Sequence, residues 1–155
     1  MKALYYQFKR EQILKTDINT IWKFASSPEN LKIITPDYMN FKITTKDLKK
    51  SIYPGMIITY SVSPVFNFPM NWVTEITCVK DREYFVDVQK MGPYKMWHHQ
   101  HFFEKKNQNI LMTDIVTYIP PFGILGSIAN IILIEKKLKA IFDYRENKMN
   151  LIFNN

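Results

Sequence analysis

The hydrophobic positions of this chain change period twice, and those changes divide it into elements. In "INTIWKFASS" (18–27), Ile18, Ile21, Trp22 and Ala25 recur at helical spacing behind Asp17, whose short carboxylate suits an N-cap. "PENLKII" (28–34) predicts a second short helix, capped by Ser27, opened by Pro28 and stopped before Pro36. From about Met39 the period becomes two. Alternation predicts strands at "NFKITTKD" (40–47), "MIITYSVS" (56–63), "MNWVTEITCVK" (70–80), "EYFVDVQKM" (83–91), "YKMWHHQHFFE" (94–104) and "NILMTDIVTYI" (109–119). Turns are expected at "YPG" (53–55), "DR" (81–82), "GP" (92–93) and "KKNQ" (105–108), and a proline-bounded loop at "PVFNFP" (64–69). With "ALYYQFKREQIL" (3–14) in front, the chain supplies about seven strands.

After "PPFG" (120–123) the helical period returns and runs to the end. At about 100° per residue, Ile124, Ile128, Ile131, Ile134, Leu138, Ile141, Phe142, Met149, Ile152 and Phe153 form one stripe. Lys136, Lys139, Asp143, Asn147 and Asn150 fall opposite. No linker or repeat interrupts residues 1–155, so the expectation is one α+β domain, an antiparallel sheet closed by a long helix. A helix lying across a curved sheet cannot touch every strand, and the gap left is a natural ligand cavity.

The chemistry concentrates in "GPYKMWHHQHFFEKK" (92–106), which holds all three histidines. Strand alternation puts Trp97, His99, His101 and Phe103 on one face and His98 on the other, so three adjacent histidines cannot act together. His99 and His101, with Cα atoms roughly 6.5–7 Å apart, could share a ligand. A catalytic zinc would need a third protein ligand, which Asp87, Glu75 or Asp114 would have to supply. The favoured reading is metal-free and cofactor-free, with hydrogen-bonded histidines in a cavity wall. Arg145 lies within the apolar stripe of the last helix, where a guanidinium needs a carboxylate or a ligand anion. Asp114 is the nearest match. If Phe103 faces Ile110, His99 opposes Asp114, and a buried His99–Asp114–Arg145 network results, structural in the first instance.

Composition narrows the functions. Aromatic residues make up 15% of the chain, and Trp72, Phe85, Tyr94, Trp97, Phe103 and Tyr118 all come from strand segments, as a bulky core or an aromatic-lined pocket would require. The net charge of +7 comes from scattered lysines without interleaved aromatics, which argues against nucleic-acid binding. Cys78 is the single cysteine, so no intrachain disulfide forms and a cytoplasmic location is expected. The charged N-terminal stretch lacks the apolar run of a secretion signal. Glycines are too few, and wrongly placed, for a phosphate-binding loop, and no serine nucleophile motif appears. "ILGSIANIILIEKK" (124–137) is apolar on nearly every side, including Ile132 and Leu133, which points to a homodimer contact or a lid. It is too short for stable membrane insertion.

"SPENLKIITP", "NWVTEIT", "YFVDVQKMGPYKMWHHQHFFE", "TDIVTYIPPFG" and "IFDYRENKM" together resemble a bacterial branch of the SRPBCC superfamily, the START and birch-pollen-allergen group. That resemblance implies a helix-grip fold and a cavity for a hydrophobic or amphipathic small molecule, such as a lipid, between sheet and C-terminal helix. It places Trp72, Trp97, His99, His101, Asp114, Tyr118 and Arg145 on the cavity wall, and the apolar part of a ligand is expected among Trp72, Trp97, Phe103 and Met149. Some superfamily members cyclise or dehydrate polyketides. An aromatase/cyclase- or dehydratase-type enzyme, with His99 or His101 as base, Asp114 polarising it and Arg145 steadying an enolate, is therefore the alternative to a non-catalytic binding protein.

Overall fold

The computed structural model describes residues 5–63, 68–121 and 133–155. Strand β1 (Tyr6–Leu14) leads to helix α1 (Ile18–Ala25) and two 3₁₀ turns, Pro28–Lys32 and Asp37–Met39. Strands β2 (Lys42–Ile43), β3 (Met56–Val62), β4 (Met70–Lys80), β5 (Tyr84–Met91), β6 (Met96–Lys106) and β7 (Asn109–Ile119) follow, and α2 (Glu135–Phe153) closes the chain. The seven strands form one curved antiparallel sheet in the order β1-β7-β6-β5-β4-β3-β2. No described helix is long and apolar enough to cross a membrane.

Local chemistry explains the boundaries. Asp17 caps α1 by accepting hydrogen bonds from the backbone N–H groups of Asn19 (2.9 Å) and Thr20 (3.1 Å). Ser27 stands at the corresponding position of the next turn but makes no side-chain cap, and a 3₁₀ turn forms there in place of the expected helix. The strand expected over 40–47 contracts to Lys42–Ile43. Thr45 causes the loss, since its Oγ1 accepts the Thr59 N–H at 2.7 Å and a side chain replaces the ladder. The β4–β5 turn spans Asp81 to Glu83, with Arg82 left-handed at φ 61°, and is longer than "DR". The last hairpin turns on Asn107 and Gln108 alone, with Asn107 at φ 57°, a conformation asparagine tolerates well.

That shorter turn moves the register by two residues. Phe103 pairs with Met112, not Ile110, and His101, not His99, stands opposite Asp114. A shift of two leaves every side chain on its face. In β7 the inward row is therefore Ile110, Met112, Asp114, Val116 and Tyr118, all buried.

Helix α2 seats Leu138, Phe142 and Met149 on the sheet. Full burial of such a side chain contributes roughly 1.5–3 kcal/mol. The polar contacts along the helix flank, Arg10 of β1 to Asp143 (2.6 Å) and to Glu146, are part-exposed ion pairs worth roughly 0.2–1 kcal/mol each. Apolar contact therefore holds the helix, and the ion pairs orient it along the edge strand. Two details of the expected stripe change. Asn150 faces β1, accepting a hydrogen bond from Gln12 Nε2 at 2.9 Å, and Ile152 is exposed. Ile124, Ile128, Ile131 and Ile132, and with them the expected dimer contact, lie outside the described residues.

Candidate functional site

Between the sheet and α2 lies a cavity of about 170 Å³. Its wall is mostly apolar, with Trp72, Trp97, Phe103, Phe142 and Met149 prominent, and it also carries Asp87, His99, His101, Asp114 and Arg145. The aromatic side chains interlock. Trp72 meets Trp97 edge-on at 5.4 Å between centroids and stacks on Tyr60 at 5.9 Å. Tyr118 departs from its expected place. It is buried against Tyr6, Tyr94 and Trp97 and does not line the cavity, because the aromatic layer of Tyr94 and Trp97 lies against it.

The polar groups form one closed cluster. Asp114 Oδ1 lies 2.9 Å from His99 Nε2 and 2.8 Å from His101 Nδ1. The other face of His101 meets Asp87, with Nε2 2.8 Å from Oδ2, while His99 Nδ1 is 3.5 Å from the same oxygen. The two imidazole centroids are 3.7 Å apart, and Phe85 stacks on His101 at 4.1 Å. Arg145 reaches in from α2, with one terminal nitrogen 3.8 Å from Asp114 Oδ1 and its guanidinium 4.8 Å from the Phe142 centroid. The expected His99–Asp114–Arg145 grouping is thus present, with His101 inside it. Asp87, which sequence reasoning weighed only as a metal ligand, completes the cluster. Its signal was a lone carboxylate on the same strand face as Phe85, within the apolar run "YFVDV".

Each protonation state has a physical cause. Burial alone would raise the Asp114 carboxyl, but the hydrogen bonds from His101 and His99 hold it far below the usual carboxylate range. Asp87 is lowered too, its burial outweighed by His99, His101 and Arg145. Burial pushes His99 down, and the neighbouring His101 pushes it further. Burial would also lower His101, yet its bonds to Asp114 and Asp87 more than reverse this and its pKa is raised. With His101 protonated, two carboxylates, that imidazolium, one guanidinium and one neutral imidazole sum to zero charge, which is how the interior accommodates so many ionisable groups.

A pH dependence follows from these directions. The stability contributed by His101 is complete below its ordinary pKa of 6.5 and is lost as pH rises through its raised folded value. The cost of keeping His99 neutral is absent above 6.5 and grows as pH falls below it. The contribution of the carboxylates is present above their ordinary 3.8 and is lost as pH drops through their lowered values. Melting temperature in chelator-treated protein is expected to peak near pH 6.5. His101→Gln should flatten the alkaline side, and an unchanged decline there would contradict the assignment.

No protein-family model matches the chain, and no curated protein matches it. Solved structures do. CV1439 from Chromobacterium violaceum superposes with a TM-score of 0.73 at 7% identity, covering 96% of this chain and 98% of that one. Ms6760 from Mycobacterium smegmatis gives 0.64 at 14% identity, over 96% and 92%. The major latex-like protein 151 of Panax ginseng gives 0.55 at 10% identity, over 89% and 97%. At these identities the likeness establishes the fold alone, which is the helix-grip fold.

Proposed function

Starting from the helix-grip fold, we propose that this protein binds a small amphipathic molecule, with an apolar ring-sized body and an oxygen-bearing, acidic head, in the cavity under α2. The observation that carries this reading is a pair of buried donors. Trp72 Nε1 and Arg145 Nε are both shielded from solvent with no hydrogen-bond partner among the described residues, and both residues line the cavity. Buried donors without acceptors are costly, about 1–3 kcal/mol each, and a carboxylate or carbonyl oxygen relieves that cost. The cavity volume, about 170 Å³, compares with the ~150 Å³ that accepts benzene in an engineered apolar core. It suits one ring or a short chain in this conformation. We place the occupant among small molecules, not nucleic acids, because the surface lysines are scattered.

Arg145→Met tests the reading. Affinity for an aromatic carboxylic acid should fall roughly tenfold or more, the scale of a charge-assisted hydrogen bond, while the matching neutral amide loses little. Equal loss of both would assign Arg145 a purely structural role. The enzymatic alternative, a cyclase or dehydratase, draws support from His99, an imidazole kept neutral by burial on the cavity wall, as a general base would be.

A further inference from the structure

Asp87, His99 and His101 are arranged as a ligand set, and we propose that they bind one divalent transition-metal cation with its open coordination positions toward the cavity. The sequence-based reading left the histidines metal-free; the side-chain geometry points the other way. This proposal rests on the cavity being the functional site and adds the group that would receive the acidic head of its occupant.

The three donor atoms lie within 4.8 Å of one another. Two ligands each about 2.1 Å from a tetrahedral metal are about 3.4 Å apart, and the separations from Asp87 Oδ2, 2.8 Å to His101 and 3.5 Å to His99, bracket that value. The longer distance is outside the usual range of a hydrogen bond, so Asp87 alone does not satisfy His99 Nδ1. A cation between the carboxylate and the two nitrogens satisfies all three.

The opposite ring nitrogens, His99 Nε2 and His101 Nδ1, both point to Asp114 Oδ1 at 2.9 and 2.8 Å. A carboxylate that accepts the second N–H of a ligating histidine fixes its tautomer and aims its lone pair. Here one carboxylate does so for two rings. Asp114 is the orienting residue and not the ligand for two reasons. The Arg145 guanidinium already stands 3.8 Å from Asp114 Oδ1 and repels a second cation. Asp114 is also the more deeply buried, with 2% of its side chain exposed against 15% for Asp87, so a metal arriving from solvent meets Asp87 first. Two imidazoles and one carboxylate favour zinc, iron or their neighbours over magnesium or calcium, and they leave coordination positions open.

The test is a Co²⁺ titration of the chelator-treated full chain, read by visible d–d absorption. Binding of the one-ring acid benzoate is measured on the same sample by isothermal titration calorimetry. The expected result is one equivalent of Co²⁺, with affinity reduced at least a hundredfold in Asp87→Asn and His101→Gln and unchanged in His98→Gln. Should circular dichroism show His101→Gln unfolded, Asp87→Asn carries the test. Folded wild-type protein without cobalt bands at millimolar metal overturns the proposal, as does wild-type affinity in Asp87→Asn or loss of binding in His98→Gln. Benzoate binding without cobalt uptake removes the metal and leaves the cavity reading standing. Cobalt uptake without benzoate binding removes the cavity reading and leaves the metal.

Discussion

Asp114→Asn is expected to destabilise the protein by about 3–5 kcal/mol, the cost of removing one partner from a buried ion cluster. At this chain length each kcal/mol shifts the melting temperature by about 2–4 °C, so a fall of roughly 6–20 °C should be seen by thermal circular dichroism. The amide keeps the shape and can still accept a hydrogen bond, so packing is not the reason. Charge is. Asp114 is 1% exposed and faces His99, His101 and Arg145, and its loss leaves the buried group with one positive charge too many. A melting temperature within two degrees of wild type would mean that water or a rearranged Asp87 already compensates the cations.

Phe142→Ala should cost about 3–5 kcal/mol, the range for truncating a buried aromatic residue. Phe142 ties α2 to the edge strand and to the polar cluster and props its own helix's Arg145. Its ring lies 4.9 Å from Phe8 of β1 and 5.7 Å from the His99 ring, and it supports the Arg145 guanidinium at 4.8 Å. In urea the unfolding midpoint should fall with the slope unchanged, since the surface exposed on unfolding stays nearly the same. Phe142→Leu, which keeps most of the packing, should recover most of the loss. Wild-type stability in Phe142→Ala would show that the Arg10 ion pairs with Asp143 and Glu146 hold the helix, against the ranking of forces given above.

Much of this was readable before any coordinates. Strands β4 and β7 end where alternation ends, because each is long and its inward row is apolar enough to fix the face. The shared face of Trp97, His99, His101 and Phe103 needs only the period of two. The inward Arg145 was legible as a charge within an apolar stripe, and Asp114 as its partner. Register was harder, since it depends on whether the last turn uses four residues or two, and Asn107 in the left-handed conformation decides that. Asp87 and the position of Tyr118 were harder again. One depends on the β5–β6 pairing, which sets Asp87 opposite His99 and beside His101, and the other on how Tyr94 folds over the sheet end. The period of two gives the face of Asp87, but neither partnership leaves a periodic trace. The contraction of β2 turns on a hydroxyl competing with the backbone, which no hydrophobic pattern records.

Ligand binding in the cavity is decided by native mass spectrometry of the protein equilibrated with a panel of one-ring aromatic acids and their amides. A one-to-one complex with an acid, weaker or absent for its amide, that dissociates on denaturation is expected. Bare protein across the whole panel at millimolar concentrations would contradict it, and would leave the buried donors of Trp72 and Arg145 without the ligand that explains them.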